Sequence, residues 1–284
     1  MNKNNIKFIK SPMNYPGNKY KLLSQLYPFF PKKINNFIDL FCGGLDVSIN
    51  INATTKYAND LDTHLIDIYK AFQNITFNEL IIFIEKRIKE FQLTRYNWHG
   101  FEDYKHAYNT TTEYHTPLDL FLISRFSFNN NIGIKNNRYN EGFGFDRSDF
   151  NLTQQAHTKF LHSQIQNIIF SSVDFSQFSL NTFTSLDFIY VDPPYLITDN
   201  GYNFPWNEEK EYQLYQYLNE ANDLGIKWGL SNVIAHKGKY NEILNEWAEQ
   251  YHIHDIHSNY QHSSFNAKTY SDSDFTLEVF ITNY

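Results

Sequence analysis

Two successive prolines, Pro193 and Pro194, follow an apolar run at 186–191 and constrain the fold of this chain more than any other feature. Proline fixes φ and has no backbone donor, so a strand inside a sheet cannot continue through two of them. The run 186–192 therefore predicts a buried strand that ends at Asp192. Open α/β sheets bind their ligands at the carboxyl ends of strands, which makes this corner a candidate site.

Strand and helix patterns alternate along the rest of the chain. Further strands are predicted at 36–41, 57–60, 226–232 and 276–282. A Gly43-Gly44 turn follows the first of them, and the apolar spacing after that turn predicts a helix. The alternation indicates an α/β fold with a mostly helical insertion.

The predicted helices follow from apolar spacing and from end residues. Apolar residues recur at helical spacing within 65–72 and 78–91. Pro117 is a favoured first helical residue, and Asn207 can cap a helix that ends near Gly225. The Asn- and Gly-rich stretch 129–151 has no such period and is interpreted as loops or a hairpin.

Composition limits the function classes. A net charge of −7 argues against a protein that coats nucleic acid non-specifically, although residues 86–147 carry nine basic and seven acidic side chains. No run of 18 apolar residues is present, and the basic start lacks an apolar signal segment, so we expect a cytoplasmic protein with no membrane span. The lone Cys42 cannot form an internal disulfide.

The tetrapeptide Asp192-Pro193-Pro194-Tyr195 carries groups that suit one chemistry. An exocyclic amine on a nucleobase is a poor nucleophile because its lone pair is delocalised into the ring. A carboxylate and a rigid backbone carbonyl, supplied by Asp192 and Pro193, can accept both of its N–H bonds and hold that lone pair in place. The ring of Tyr195 offers a flat face for a base that has left the duplex stack. We identify all four residues as catalytic candidates.

This tetrapeptide resembles the catalytic motif of the Dam-type (D12 class, alpha group) N6-adenine-specific DNA methyltransferases. The resemblance implies a Rossmann-like class I methyltransferase sheet with an inserted target-recognition domain. It places the catalytic domain at 1–76 and 160–284 and the recognition domain at 77–159. It also implies S-adenosyl-L-methionine as cofactor, double-stranded DNA as substrate, no metal and a monomeric enzyme.

Four further segments resemble cofactor motifs of that family. Residues 39–44 match its cofactor loop, although Leu45 stands where a further Gly is common, and residues 14–19 match its N-terminal motif. Asp60 matches the ribose-binding acid, with Asp62 a weaker substitute, and Asp174 matches the acid that accepts from the cofactor's adenine. The cofactor residues implied are Tyr15, Lys19, Asp39, Phe41, Gly43, Asp60, Asp174, Phe175 and Asp192.

The stretch 125–151 resembles the family's DNA-contact region. Asn suits adenine edges, Arg suits guanine edges and phosphates, and Tyr139 is a candidate wedge between bases. Lys19 also lies close to DNA in the family. The DNA-binding residues implied are Lys19, Arg125, Asn129, Asn130, Asn131, Arg138, Tyr139, Asn140 and Arg147.

Several alternatives stay open. Related tetrapeptides serve enzymes that methylate adenine in RNA, cytosine N4 in DNA or a glutamine side chain, and a catalytically silent DNA-binding module is a rival of another class. A cognate restriction endonuclease is a candidate partner, without a stable complex. The spacing of His252, His254 and His257 is compatible with a metal, but solvated residues on a strand and the following turn are the preferred interpretation.

Overall fold

The computed structural model describes residues 7–198, 206–257 and 275–284. An eight-stranded sheet forms the centre of this part of the chain, and a separate two-stranded hairpin accompanies it. The strands are β1 (Asn36–Asp39), β2 (Thr55–Asn59), β3 (Ile134–Lys135), β4 (Arg138–Tyr139), β5 (Ile168–Ser171), β6 (Phe188–Val191), β7 (Lys227–His236), β8 (Lys239–Tyr240), β9 (His252–Ile256) and β10 (Thr276–Thr282).

Helices cover the sheet and build the insertion. They are α1 (Leu23–Leu26), α2 (Thr63–Gln73), α3 (Phe77–Glu90), α4 (Trp98–Thr110), α5 (Pro117–Phe126), α6 (Leu152–Ile165), α7 (Glu208–Asp223) and α8 (Glu242–Ala248). Short 3-10 turns lie between them, including Ser48–Asn50 after β1 and Phe175–Gln177 after β5.

The strand order in the large sheet is β5-β2-β1-β6-β7-β10-β9, with β8 paired to β7. The first five strands of this order are parallel, whereas β10 runs antiparallel to both β7 and β9. The chain leaves β1 toward β2 and β5 on one side and continues from β6 to β7 on the other. The carboxyl ends of β1 and β6 therefore flank the point where the order reverses, which is where such sheets bind ligands.

The predicted α/β class and Rossmann-like sheet are confirmed. The strand predicted at 276–282 has those bounds, and the strand at 226–232 is present but extends to His236. The side chain of Asn207 accepts from the backbone N–H of Lys210 as an N-cap, and Gly225 has φ +73° just after the helix. The stretch at 129–151 contains a hairpin whose turn, Asn136-Asn137, has positive φ at both residues.

The prediction of a helix after Gly44 is wrong. The chain forms only the 3-10 turn Ser48–Asn50, because its buried apolar residues Leu45, Val47, Ile49 and Ile51 alternate along a bent loop. The sequence patterns do not predict helices α1, α4, α6 and α8 or strands β5 and β8.

The insertion shares a hydrophobic core with one face of the sheet. Phe72 of α2 and Phe121 of α5, for example, lie with their ring centroids 4.9 Å apart in an edge-to-face contact. The predicted boundary at 159/160 falls inside α6, and the division into two domains stays a prediction. None of the described helices is long and apolar enough to cross a lipid bilayer.

Candidate active site

A cleft of about 940 Å³, part of it open to solvent, lies at the carboxyl ends of the central strands. The structure brings all the predicted cofactor residues to its wall: Tyr15, Lys19, Asp39, Phe41, Gly43, Asp60, Asp174, Phe175 and Asp192. Of the predicted catalytic residues, Asp192 and Pro194 line it as well.

Asp192 directly follows β6 and forms an ion pair with Lys19. The distance from Lys19 Nζ to Asp192 Oδ1 is 2.8 Å, and the two side chains are only 5% and 15% exposed. Lys19 also donates to the backbone oxygen of Gly17, at 2.7 Å. Burial raises the pKa of Asp192, and the nearby ammonium partly offsets that rise. The ion pair thus favours the ionised carboxylate in a place that otherwise disfavours charge.

The hydroxyl of Tyr195 lies between two carboxylates. It is 3.2 Å from Asp192 Oδ1 and 3.3 Å from Glu278 Oε1 on β10. The ammonium of Lys19 is 5.1 Å from the centre of the Tyr195 ring. Sequence reasoning did not identify Glu278, which belongs to no motif and comes from a strand far along the chain.

Two buried aspartates on the cleft each have one unused oxygen. Asp39 Oδ2 accepts from the Ser48 hydroxyl at 2.5 Å, and Asp46 Oδ1 accepts from the Ser11 amide at 2.9 Å. The other oxygen of each is buried and has no hydrogen-bond partner among the described residues. Burial raises the pKa of both groups to about 7. Unsatisfied acceptors of this kind indicate room for a donor that the chain does not supply.

The glycine loop after β1 is held by Asp60 and Tyr69. The amide of Gly43 donates to Asp60 Oδ2 at 2.8 Å, and its carbonyl accepts from the Tyr69 hydroxyl at 2.7 Å. Gly43 has φ +42°, and a Cβ there would lie 2.8 Å from the Tyr15 ring. Only glycine lets that ring approach.

Leu45 explains the departure from the family pattern at this loop. It has φ +64°, in the left-handed region that glycine adopts without cost. Its side chain is completely buried in the core. The conformation that a glycine usually supplies is therefore retained, with the burial of the leucine side chain offsetting the backbone strain.

Asp60 and Asp62 have separate roles. Asp62 is the N-cap of α2, accepting from the amides of His64 and Leu65. Its side chain is therefore engaged in the helix end. Asp60 Oδ1 accepts from the amide of Asp62, and burial raises the pKa of Asp60 to about 6. The acid that lines the cleft is Asp60.

Asp174 forms an ion pair that was not predicted. Its Oδ2 is 2.9 Å from Lys210 Nζ, and its Oδ1 accepts from the amide and hydroxyl of Ser176. Burial alone would raise the pKa of Asp174, but the hydrogen bonds from Lys210 and Ser176 bring it below its ordinary value. Lys210 also lies over the Phe175 ring, at 5.4 Å.

Trp206 is another residue of the cleft that sequence reasoning missed, as it missed Asp46 and Lys210. Its ring lies 5.8 Å from the rings of both Phe41 and Phe175. Its indole N–H donates to Glu211 Oε2 at 2.6 Å. Glu211 is fully buried, and its other oxygen accepts from Tyr215, Asn232 and Asn241. A satisfied buried carboxylate therefore positions an aromatic wall of the cleft.

The predicted DNA-contact residues divide by exposure. Exposed side chains belong to Asn129, Arg138, Asn140 and Arg147, and partly exposed ones to Asn130 and Asn131. Asn129 and Asn130 both have positive φ, a conformation that asparagine tolerates.

Arg125 and Tyr139 require a correction. Arg125 is completely buried, and its guanidinium donates to the carbonyls of Pro12 and Asn130 and to the Ser124 hydroxyl. Tyr139 is 1% exposed, and its hydroxyl donates to the carbonyl of Asn131. Neither side chain presents a surface to DNA, so both hold the insertion together instead.

The three histidines considered for a metal lie on or next to β9. His254 stacks on Phe29, with ring centroids 4.0 Å apart, so it is not simply solvated as expected. Across residues 7–198, 206–257 and 275–284, no three His, Cys, Asp or Glu side chains are grouped to hold a metal ion.

Comparison with protein families decides the relationship. The family model for the D12 class N6 adenine-specific DNA methyltransferases matches residues 15–262. The chain belongs to this family. The match includes residues 39–44, 77–159 and 192–195.

Three bacterial methylases are similar to nearly the whole chain. The type II methyltransferase M.FokI of Planomicrobium okeanokoites is 39% identical over 98% of this chain and 43% of its own length. The modification methylase StsI of Streptococcus sanguinis is 38% identical over 98% of the chain and 43% of its own length. The modification methylase LlaI of Lactococcus lactis subsp. lactis is 29% identical over 99% and 44% respectively. The chain thus spans less than half the length of these relatives.

Proposed function

We propose that this chain transfers a methyl group from S-adenosyl-L-methionine to the N6 amine of a flipped-out adenine in double-stranded DNA. The observation that carries the proposal is the position of Asp192. It follows a central strand directly, is paired with a buried lysine and faces the cleft lined by the predicted cofactor residues. Membership of the D12 class supports the choice of adenine N6 over the RNA, cytosine and glutamine alternatives.

The charges of the cleft fit a cationic cofactor. Asp39, Asp46, Asp60, Asp174 and Asp192 line it against only two lysines, Lys19 and Lys210. The unused buried oxygens of Asp39 and Asp46 are acceptors for an ammonium or a hydroxyl. S-adenosylmethionine, when bound, supplies a methyl group activated by its positively charged sulfur.

Different residues of the cleft would hold different parts of the cofactor. Asp60 is the proposed acceptor for the ribose hydroxyls. Asp174 is the proposed acceptor for the adenine amine, and Phe41, Phe175 and Trp206 offer apolar faces to the adenine ring.

The catalytic corner prepares the acceptor amine. Asp192 accepts one N–H and the carbonyl of Pro193 accepts the other, which aims the nitrogen lone pair at the methyl group. Lys19 keeps Asp192 ionised, because a protonated carboxyl would lose acceptor capacity. Asp192 need not be a strong base, since the methylated ammonium is acidic enough to release its proton to water.

DNA would be held by the exposed polar residues of the insertion, with Arg138 and Arg147 on phosphates or guanine edges and Asn129, Asn130, Asn131 and Asn140 on bases. Lys19 is 5% exposed and bonded to Asp192, so its proposed role near DNA is confined to the catalytic corner.

We further propose a cytoplasmic monomer that protects DNA from a cognate restriction endonuclease without forming a stable complex with it.

Methyl transfer to DNA tests the proposal. The chain is incubated with labelled S-adenosylmethionine and, in separate reactions, with DNA duplexes or RNA of varied sequence, and the nucleosides are separated by mass. We expect N6-methyladenine from the wild type and from the surface control Asp103→Ala, and none from Asp192→Ala. No transfer by any of the three favours the silent DNA-binding module. Label in N4-methylcytosine, or transfer only to RNA, would instead assign one of the alternative substrates.

A further inference from the structure

A second carboxylate faces the catalytic corner from the antiparallel edge of the sheet. Glu278 of β10 is 9% exposed, and its Oε1 is 3.3 Å from the hydroxyl of Tyr195. The same hydroxyl is 3.2 Å from Asp192 Oδ1. The three side chains form a continuous series from Glu278 through Tyr195 to Asp192.

An irregularity in the sheet accompanies this placement. The register of β10 against β7 shifts between Leu277 and Glu278: Leu277 lies opposite Ala235, whereas Glu278 lies opposite Val233. One residue of β7 is thus passed over, as in a β-bulge. Bulges bend a strand and re-aim side chains, and they are frequent next to active sites.

The hydroxyl of Tyr195 has one proton and two carboxyl neighbours. It can donate to only one of them at a time. Lys19 stabilises the ionised form of Asp192, whereas burial raises the pKa of Glu278, the charge of Asp192 adds to that rise and Lys19 opposes it. Both carboxyl groups lie within hydrogen-bond distance of this hydroxyl, so Glu278 and Asp192 are linked through Tyr195.

We propose that Glu278 is a positioning residue for the methyl transfer, a role that rests on the proposed adenine methylation. Its contact with the hydroxyl fixes the orientation of the Tyr195 ring against which the target base packs. Through the same hydroxyl it holds the Asp192 carboxylate. A purely structural Glu278 would contribute to stability alone.

A double-mutant cycle separates these two roles. Glu278→Ala is expected to lower kcat about tenfold, which corresponds to one lost hydrogen bond, with little change in the KM for the cofactor. Glu278→Gln keeps a side-chain oxygen that can accept from the Tyr195 hydroxyl and should stay within threefold of wild type. Glu278→Ala combined with Tyr195→Phe should lose no more than the stronger of the two single variants, because both remove the same contact.

The matched control is Thr282→Val on the same strand. Thr282 is also buried and hydrogen-bonded, but to His254 and to the carbonyl of Tyr284 after β10. It should keep the kcat of the wild type even if its stability falls. A wild-type kcat for Glu278→Ala, or multiplicative losses in the double variant, would overturn the positioning role.

A second readout does not depend on activity. With 3-fluorotyrosine at position 195, the chemical shift of the ¹⁹F resonance should change in Glu278→Ala and stay at the wild-type position in Thr282→Val, because Glu278 contacts the Tyr195 hydroxyl and Thr282 does not. A wild-type chemical shift in Glu278→Ala would also overturn the proposal. Failure of the proposed function has a different result, namely no methyl transfer by the wild type while the chemical shift still responds to Glu278→Ala.

Discussion

Lys19 and Asp192 form a shielded ion pair between the N-terminal segment and the end of β6, with Nζ 2.8 Å from Oδ1. Solvent weakens exposed ion pairs, but both of these side chains are largely covered, so the interaction retains its strength. The pair therefore controls the protonation state of the proposed catalytic carboxylate.

Replacing the lysine should move the pH dependence of activity. Lys19→Met removes the charge that lowers the pKa of Asp192, so burial raises that pKa further. The carboxylate is then protonated at a higher pH. The acidic limb of the pH profile of kcat, measured at saturating cofactor, should therefore move to higher pH by about one pH unit. The exposed neighbour variant Lys21→Met should keep the wild-type limb. An unshifted limb in Lys19→Met would contradict this account.

The strained loop makes an unusual prediction for Leu45. Leu45→Ala and Leu45→Gly should both destabilise the protein by roughly 2–5 kcal/mol, because each removes a buried side chain. Leu45→Gly should nevertheless be the more stable of the two by about 1 kcal/mol, since glycine relieves the cost of positive φ. Denaturant unfolding measures both values. The reverse order would show that the loop carries no such strain.

Much of the fold could be predicted because its causes are local. The prolines after β6, the Asn207 cap and Pro117 at the start of α5 act through their immediate neighbours. Helix α6 was missed because its buried stripe is narrow, with only Thr158, Leu161 and Ile165 buried. Helix α4 was missed because its buried face is largely tyrosine, a residue that is also found exposed in this chain.

Only the site residues that belong to a recognisable sequence motif could be predicted. The predicted cofactor residues cluster on one cleft because each ends or follows a strand of the parallel sheet or lies in the N-terminal segment. Glu278 and Glu211 could not be found, since their roles depend on contacts with distant strands and helices. The burial of Arg125 was equally hidden, because eight of the ten residues of α5 are buried and the helix has no polar face to contrast with them.

Burial of Asp46 should make the cofactor-free protein less stable as pH rises. Its pKa is raised to about 7 from an ordinary value of 3.8, mainly by desolvation. A carboxyl group whose pKa is higher in the folded protein than in the unfolded chain stabilises the fold fully at pH values below the unfolded-state pKa. That stabilisation is lost as the pH rises through the folded-state pKa, here between about pH 4 and pH 7. The loss is at most about 4 kcal/mol.

Unfolding of Asp46→Asn across that window measures the effect. The amide does not ionise, so the free energy of unfolding should fall less steeply with pH than in the wild type, while Asp39 keeps its own share. The exposed variant Asp103→Asn should match the wild-type slope. Equal slopes for all three proteins would count against an ionisable Asp46.

Arginines in the insertion should separate into structural and DNA-binding groups. Arg125→Met leaves the carbonyls of Pro12 and Asn130 without their donor and should lower the free energy of unfolding by about 2–4 kcal/mol. Arg138→Ala should leave stability within about 0.5 kcal/mol but weaken duplex binding and reduce the salt slope by about one. Denaturation and binding titrations at several salt concentrations test both. An unchanged salt slope in Arg138→Ala would remove Arg138 from the interface.

The hydrogen bonds of Arg125 also connect separate parts of the chain. Its guanidinium joins α5 to Pro12, just ahead of Tyr15 and Lys19, and to the turn at Asn130. Asn14 adds a second link, donating to the carbonyl of Asn129 at 2.5 Å. Three side-chain hydrogen bonds therefore fasten the turn at 129–130 and helix α5 to the segment that leads to Lys19, so a displacement of that turn would be transmitted toward the partner of Asp192.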